Sequence, residues 1–248
     1  MPTYCIIGTN RGIGLEFVRQ LAQSPDNTII ATVRPYADRT DLDTVASANT
    51  HVLECDTASV QSVHIFSNQV ARNVLMGESG PSQTKIDYLI VNAGINGTPA
   101  DQDSLSLNPV LLTEQMAVNV VGPAKVVEFL VDRKALSPAA RILNMSSGFG
   151  SLSQSASMEP RMSIGYSLSK AALNMLTVHQ GYDVRARGKL PQAVVIAMDP
   201  GWVKTRLGGE DAPLEASESV SGMLQVLHGL KDEDNVSFFG QDGKRKEW

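Results

Sequence analysis

Six short runs of apolar, mostly β-branched residues recur along the chain, separated by longer stretches of mixed polarity. Runs that are almost continuously apolar are typical of strands covered on both faces in a parallel sheet. The predicted strands are residues 4–7, 28–33, 51–54, 86–91, 141–145 and 193–198, with a shorter seventh at 236–239.

The stretches between these runs space their apolar residues as amphipathic helices do. The predicted helices cover residues 13–22, 60–75, 111–130, 166–184 and 216–230. Strands that alternate with helices predict an α/β fold, in which a doubly wound parallel sheet of about seven strands lies between two helical layers, as in the Rossmann fold. No repeat or long linker divides the sequence, so we expect residues 1–248 to form one domain.

Three segments rich in Gly, Ser, Pro and Asp are predicted to be loops, namely 77–84, 96–109 and 148–163. Two of them follow strand ends, where open α/β sheets bind their ligands.

Composition narrows the class of protein. Of 248 residues, 42% are hydrophobic and 19% charged, which suits a globular domain with a substantial core. The formal net charge of -5 leaves no positive surplus for phosphates, so no nucleic acid partner is expected. The sequence shows neither a signal-peptide pattern nor an apolar run of membrane-spanning length. These features predict a cytoplasmic protein without a membrane partner.

Cysteine and histidine usage points away from disulfides and metals. Cys5 and Cys55 both fall in apolar runs, and two cysteines are too few for a disulfide framework, so we expect reduced core thiols. The four histidines are scattered singly without ligand spacing, and no metal site is expected.

A glycine-rich turn, with Gly8, Gly12 and Gly14, joins the first predicted strand to the first predicted helix. Such glycines permit a tight turn and close backbone approach, so that the helix N-terminus can hold a pyrophosphate. Plain strand-to-helix turns also use glycine, but the place of this turn after the first strand favours a dinucleotide site. Its Gly-x-x-x-Gly-x-Gly spacing resembles that of the short-chain dehydrogenase/reductase family.

Basic side chains occur where the adenosine ribose of a dinucleotide would bind. The second predicted strand ends at Arg34 and offers no carboxylate to a ribose 2'-hydroxyl. The guanidinium groups of Arg34 and Arg11 suit a 2'-phosphate, although each could equally be a solvated loop charge. NADP-preferring family members carry basic residues at these two places, so the resemblance implies NADP(H) as cofactor. Asp56 resembles the family aspartate that contacts the adenine, or is an ordinary carboxylate at a helix N-terminus.

Tyr166 and Lys170 stand four residues apart and therefore share one face of a predicted helix. A phenol titrates near pH 10 and needs a nearby cation to shuttle protons at neutral pH, which Lys170 could supply. Alone, such a pair often occurs by chance on a surface helix. Three further elements occur in the family order: Asn92-Ala93-Gly94 ending the fourth strand, Asn119 in the helix after it, and Ser146-Ser147 ending the fifth strand.

The resemblance implies a catalytic tetrad of Asn119, Ser147, Tyr166 and Lys170. Tyr166 would donate a proton to a substrate carbonyl while hydride arrives from the nicotinamide, and Ser147 would bind the carbonyl oxygen. Lys170 would lower the phenol pKa and bind the nicotinamide ribose, and Asn119 would support a water-linked proton path. The second serine of the pair usually matches the family position, but Ser146 remains an alternative.

The segment Asp199-Pro200-Gly201-Trp202-Val203-Lys204-Thr205 follows the sixth predicted strand and resembles the family segment that covers the nicotinamide. Elsewhere it would be a plain Pro-Gly turn. The glycines after it predict a mobile lid over residues 207–213, within a substrate loop at about 203–215. A second loop, 148–164, is expected either to line the entrance of the substrate site or to be a surface loop without a role in binding.

The resemblance thus implies cofactor contacts along most of the chain. They are Gly8, Asn10, Arg11, Gly12, Ile13, Gly14, Arg34, Asp56, Asn92, Ala93, Gly94, Tyr166, Lys170, Pro200, Gly201, Val203 and Thr205. One departure is Ile7, since the family usually has there a threonine that ties the turn to the Asn92 loop. We therefore expect a slightly looser turn that still binds the cofactor.

Within the family, the glycine turn, the Pro-Gly-Trp-Val segment and the closing Asp242-Gly243 resemble the carbonyl-reductase-like branch that includes the sniffer and C-factor proteins. The branch implies NADPH-dependent reduction of a ketone or aldehyde to an alcohol. Two alternatives are an NAD-dependent alcohol dehydrogenase and an NADP-binding regulatory or signalling protein without turnover. Helices 111–130 and 166–184 correspond to those through which family members dimerise, which implies a homodimer or homotetramer.

Overall fold

The computed structural model describes residues 1–74, 85–98, 102–158, 162–187 and 190–248. The predicted loop 77–84 lies outside the described residues, as do Leu75 at the end of a predicted helix and positions 99–101 and 159–161 of the other two predicted loops.

Seven parallel strands form one sheet in the order β3-β2-β1-β4-β5-β6-β7. They are β1 (Thr3–Ile7), β2 (Thr28–Val33), β3 (Thr50–Glu54), β4 (Ile86–Val91), β5 (Leu136–Met145), β6 (Val194–Asp199) and β7 (Ser237–Gly240). The predicted Rossmann fold is therefore confirmed. The strand order reverses between β1 and β4, and such a switch point opens a ligand crevice at the carboxyl ends of the strands.

Eight α-helices connect and flank the strands within the described ranges. They are α1 (Gly12–Leu21), α2 (Thr40–Val45), α3 (Val60–Gln69), α4 (Pro109–Met116), α5 (Gly122–Asp132), α6 (Leu152–Ala156), α7 (Ile164–Ala186) and α8 (Ala216–Gly229). Two π-helical turns, Val70–Val74 and Ala117–Val121, continue α3 and α4, and 3-10 turns occur at Gly148–Gly150 and Asp232–Asp234.

Alternate side chains along each strand enter two separate cores, one on each face of the sheet. Tyr4 and Ile6 of β1 pack with α1 and α8, whereas Cys5 and Ile7 pack with α3 and α5. Both cysteines are buried and free, as predicted. Because successive side chains of a strand point to opposite faces, the sheet is covered by helices on both faces. The nearly continuous apolar strands predicted this arrangement of helix, sheet and helix.

The predicted continuous helix over 111–130 is wrong in its middle. The π-helical turn Ala117–Val121 separates α4 from α5. Pro123 has no N–H, so the α-helical hydrogen bond to the carbonyl of Asn119 cannot form. At Gly122 the helix also packs directly on the loop after β3, where an added Cβ would lie 2.7 Å from the Thr57 carbonyl oxygen.

Two other expectations need correction. The segment predicted as a loop after β5 contains the 3-10 turn and α6, because Ser151 accepts a hydrogen bond from the Gln154 N–H and caps the short helix. β5 begins at Leu136 rather than Arg141. Leu136 is buried and pairs with Ile86, and a register shift follows near Pro138, which cannot donate to the ladder.

Among the described residues, no helix has the length and apolar character needed to cross a membrane. Across the same residues, no three or more His, Cys, Asp or Glu side chains come together as a metal site would require.

Candidate active site

The glycine turn between β1 and α1 has a backbone that only glycine fits. Gly8 has a φ of +87° and Gly12 a φ of +57°, in the left-handed region. At Gly14 an added Cβ would lie 1.9 Å from the carbonyl oxygen of Gly8, so α1 starts in direct contact with the turn. The three glycines singled out in the sequence therefore have separate geometric reasons.

The turn is tied to both neighbouring strands. The Gly8 N–H donates to Thr32 Oγ1 (2.9 Å), and both the N–H and the hydroxyl of Thr9 donate to the Thr32 carbonyl. On the other side, Asn92 Nδ2 donates to the Gly8 carbonyl at 2.7 Å. The Ala93 N–H also donates to the carbonyl of Ile7. These bonds connect the turn to the Asn92 loop although Ile7 lacks the hydroxyl that the family usually has there.

The N-terminus of α1 has the features of an anion site. Arg11 occupies the N-cap position without a side-chain hydrogen bond to the first turn, and that turn contains no acidic residue. The first-turn N–H groups and the helix dipole therefore favour a bound anion. Thr205 lies over the same turn, because an added Cβ at Gly12 would be 3.4 Å from Thr205 Cγ2. These features fit the pyrophosphate of a dinucleotide.

The side chains expected at the adenosine end lie along the carboxyl edge of β1 to β3. Arg11 and Arg34 are both exposed, and neither pairs with a carboxylate among the residues that the structure describes. Asp56 follows β3, two strands from β1, and its Oδ1 accepts a hydrogen bond from the Ala58 N–H. Ser59, not Asp56, is the N-cap of α3.

Asn119 lies in the π-helical turn after α4 and is completely buried. Its side chain forms two hydrogen bonds with Ile95, donating to the carbonyl and accepting from the N–H, each at 2.9 Å. It also donates to Ser169 Oγ of α7 at 2.9 Å. Asn119 thus joins the loop after β4 to the helix that carries Tyr166 and Lys170.

Lys170 is 2% exposed and donates through Nζ to the Met145 carbonyl at 2.7 Å. Burial lowers the pKa of Lys170 to about 7. Gly94 packs closely against it, since an added Cβ there would lie 3.3 Å from both Lys170 Nζ and Asn119 Oδ1. Gly94, Asn119 and Lys170 therefore meet at one point.

Tyr166 is 8% exposed at the start of α7. Its ring lies 5.4 Å from Lys170 Nζ and edge-on to Phe149, with 6.3 Å between the ring centroids. Burial, and after it the charge of Asp199, raise the pKa of Tyr166 above its ordinary value, and a hydrogen bond with Ser147 acts in the opposite direction. The expectation that Lys170 lowers the phenol pKa is therefore not met, and the phenol stays protonated at neutral pH.

The two adjacent serines after β5 have different surroundings. Ser146 is 1% exposed, and its hydroxyl donates to Asn174 Oδ1 at 2.5 Å. Ser147 is half-buried and accepts a hydrogen bond from the Phe149 N–H. The hydroxyl that faces Tyr166 is that of Ser147, whereas the Ser146 hydroxyl is used in packing α7 against the sheet.

The segment after β6 folds back on itself. Gly201 has a φ of +78°, and its N–H donates to Asp199 Oδ1 at 3.0 Å. Val203 is buried and forms a bridge with Leu214. Lys204 Nζ pairs with Glu215 at 2.6 Å, and the Trp202 indole donates to the Gly208 carbonyl. The predicted substrate loop 203–215, with its lid, is thus a loop beside the glycine turn that is closed by a parallel bridge and by internal hydrogen bonds.

A sequence profile of short chain dehydrogenases matches residues 2–215. The chain belongs to the short-chain dehydrogenase family. It is 33% identical over 163 residues to the C-signal protein of Myxococcus xanthus, covering 66% of this chain and 93% of that protein.

Solved structures agree with this assignment. The NADPH-bound carbonyl reductase from chicken fatty liver superposes with a TM-score of 0.86 at 28% identity, covering 100% of this chain and 99% of the other. The carbonyl reductase Sniffer of D. melanogaster superposes with a TM-score of 0.83 at 27% identity over the whole of both chains.

Several side chains that build the site of this short-chain dehydrogenase were missed by sequence reasoning. Thr32 holds the glycine turn, Ser169 binds Asn119, and Thr98 Oγ1 accepts from the Tyr166 N–H at 3.2 Å. Ser169, three residues after Tyr166 on the same helix face, could have been found by helical spacing. Lys246, which pairs with Asp199, gives no sequence signal because 47 residues separate the two.

Proposed function

We propose that the protein is an NADPH-dependent reductase that converts a ketone or aldehyde into an alcohol. The observation that carries the proposal is that Asn119 and Lys170 meet at Gly94, and that the Tyr166 ring lies 5.4 Å from Lys170 Nζ. Ser147 faces the same phenol. The glycine turn is joined to this place through Asn92.

Each group has a chemical role in the proposed reaction. NADPH, when bound, supplies the hydride. Tyr166 donates the proton that the carbonyl oxygen needs, and Ser147 donates a hydrogen bond that stabilises the developing negative charge. Lys170 binds the nicotinamide ribose and supports the proton transfer, and Asn119 holds the proton path to it. The Ser146 hydroxyl, already used by Asn174, leaves Ser147 as the better candidate.

The protonated state of Tyr166 fits its proposed role as the proton donor. A proton donor has to be protonated, and burial raises the pKa of Tyr166, which keeps the phenol in that form. The NAD-dependent alcohol dehydrogenase considered from the sequence is the weaker alternative because Arg11 and Arg34 favour a 2'-phosphate.

The preference for NADPH is proposed on the two exposed guanidinium groups, Arg11 and Arg34, beside the glycine turn. Neither is neutralised by a carboxylate among the described residues, so both are free to bind a 2'-phosphate. We further propose contacts from Asn10 and Ile13 of the turn, from Asp56, from Ala93 and Gly94, and from Pro200, Gly201, Val203 and Thr205 of the segment after β6.

Consumption of NADPH by the purified protein tests the proposal. The panel contains aliphatic ketones, aromatic aldehydes, quinones and polyketide-like aromatics, and each compound is assayed in parallel with NADH. We expect turnover of at least one carbonyl class with NADPH and weaker binding of NADH. Bound NADPH without turnover on any compound would instead favour a protein that binds the cofactor as a regulator.

That second function has one observation in its favour, the similarity to a relative named C-signal. A signalling protein would need the fold and the cofactor site but not the proton donor. The tetrad residues are all present here and are brought together, which favours the reductase.

We also propose that residues 1–248 form one domain whose loops 148–164 and 203–215 select the substrate. We further propose that the chain forms a homodimer or homotetramer and that it works in the cytoplasm.

A further inference from the structure

The last four residues, 245–248, here called the C-terminal tail, lie against β7. The Lys246 N–H donates to the Phe238 carbonyl at 2.7 Å, and the Trp248 ring stacks on Phe238 with 5.5 Å between centroids. Arg245 pairs with Asp234 at 2.6 Å and lies over the Phe239 ring. The tail is therefore held in place by aromatic, ionic and backbone contacts together.

The same tail binds the segment that follows Ser147. Ser151 Oγ donates to the Glu247 carbonyl at 2.8 Å, and the Ser153 N–H donates to the Trp248 carbonyl at 3.2 Å. Residues 147–156, here called the serine segment, comprise Ser147, the 3-10 turn and α6. The tail thus bridges β7 and the serine segment.

Lys246 occupies the centre of this bridge. Its Nζ pairs with the carboxylate of Asp199 and lies 3.3 Å from Gln154 Oε1. Gln154 in turn packs under the residue after Ser147, because an added Cβ at Gly148 would lie 2.8 Å from Gln154 Oε1. One ammonium group therefore connects the end of β6 with the serine segment.

The pairing matters because Asp199 is nearly buried and negative. Its side chain is 10% exposed, and a carboxylate left without a cation in that position would be costly. Its charge also acts on Tyr166, where it disfavours the phenolate. Of the titratable side chains in the described residues, Lys170 lies 5.4 Å from the Tyr166 ring, Asp199 acts on Tyr166 through its charge, and Lys246 pairs with Asp199.

We infer that the C-terminal tail is part of the active site, and that Lys246 is a positioning residue that neutralises Asp199 and holds Ser147 in place opposite Tyr166. The inference rests on the proposed reductase function. Lys246 touches neither the tyrosine nor the serine, so it acts through Asp199 and Gln154. A side chain that contacts neither catalytic group would then set both the geometry and the electrostatics of the proton donor.

Substitution of Lys246 tests the inference. We expect Lys246→Met to lower kcat about tenfold, since small displacements of a catalytic group are costly. The unpaired Asp199 should also raise the pKa of Tyr166, which moves the alkaline limb of the pH profile for reduction upward by about one unit. Lys246→Arg should restore both properties. Asp199→Asn added to Lys246→Met should return the alkaline limb to its original position.

Lys244→Met is the matched control, because Lys244 precedes the tail and its side chain is 82% exposed. Hydrogen exchange gives a second readout that does not require turnover: Lys246→Met should accelerate exchange in residues 147–156, and Lys244→Met should not. A Lys246→Met protein with the kcat, pH profile and exchange of the unmodified protein would overturn the inference. If the unmodified protein reduces no carbonyl, the proposed function fails, and unchanged exchange would then show that Lys246 does not hold the serine segment either.

Discussion

Burial makes both titratable side chains at the centre of the site favour their neutral forms. It raises the pKa of the Tyr166 phenol and lowers that of the Lys170 ammonium to about 7. A neutral phenol suits a proton donor. A lysine that titrates near neutral pH can pass a proton in either direction, which suits a group that resupplies the tyrosine.

Tyr166→Phe removes the proposed proton donor and leaves the ring in place. We expect kcat for carbonyl reduction to fall about 10²- to 10⁴-fold, the usual contribution of a general acid, with the Kd for NADPH nearly unchanged. Steady-state assays and fluorescence titration measure the two constants. Tyr182→Phe, an exposed position on the same helix, is the control and should not change either value. If Tyr166→Phe had the same kcat as the unmodified protein, Tyr166 would not be the proton donor.

Lys170 should make stability depend on pH. Its pKa is about 7 in the folded chain and ordinarily 10.5, so between these values the unfolded chain binds more protons. The free energy of unfolding should therefore rise with pH in this window, by about 2 kcal/mol between pH 7 and pH 9 from this group. Urea denaturation of the unmodified protein and of Lys170→Met at both pH values isolates the contribution. Equal pH dependence in the two proteins would contradict it.

Arg34 should distinguish NADPH from NADH. Because a guanidinium forms strong hydrogen bonds with a phosphate, Arg34→Ala should raise the Kd for NADPH about tenfold and leave that for NADH nearly unchanged. Calorimetric titration with both cofactors measures the difference. Arg19→Ala, on the outer part of α1, is the control. An equal loss of affinity for both cofactors would mean that Arg34 does not bind the 2'-phosphate.

At the scale of elements, the glycine turn depends on the contact between its two ends. Gly14→Ala would place a Cβ 1.9 Å from the Gly8 carbonyl, so we expect unfolding to become easier by about 3 kcal/mol or more. Gly229→Ala, at the end of α8, should be neutral or stabilising, because no non-neighbouring atom lies within 4 Å of an added Cβ there. Thermal unfolding of both variants checks the expectation, and equal melting temperatures would show that the turn adjusts freely.

The elements that the sequence predicted well are those whose burial is complete. Strands such as β1 and β6 are buried at every position, so their apolar runs mark their limits to within one residue. The π-helical turn at Asn119 was not predicted, because apolar spacing hardly changes across one extra residue per turn. Helix α6 was missed because its five residues include no buried side chain and therefore no apolar pattern.

In the candidate site, too, residues with a local sequence pattern were predicted and residues without one were missed. Tyr166, Lys170 and the glycines were found because local spacing or conformation requires them. The pairing of Lys246 with Asp199, and the role of Thr32 under the glycine turn, depend on contacts between residues far apart in the chain. Such contacts leave no local pattern in a single sequence.

At the scale of the whole molecule, the parallel sheet brings distant residues to one edge. The carboxyl ends of β1, β4, β5 and β6 carry Gly8, Asn92, Ser147 and Asp199, and the helices on the two faces support them. The sheet and its helices take up most of the 248 residues. Under the proposed function we expect substrate choice to come from loops such as 203–215, with the C-terminal tail as a further support beside them.

Transfer of deuterium from NADPH that carries deuterium at both C4 positions of the nicotinamide to the carbonyl carbon of a reduced substrate is the most direct test of the central claim. The proposed reductase should produce an alcohol that carries the label, with one NADPH consumed per alcohol formed, and Tyr166→Phe should form the labelled product about 10²- to 10⁴-fold more slowly. NADPH that binds but transfers no label to any carbonyl in the panel would contradict the claim.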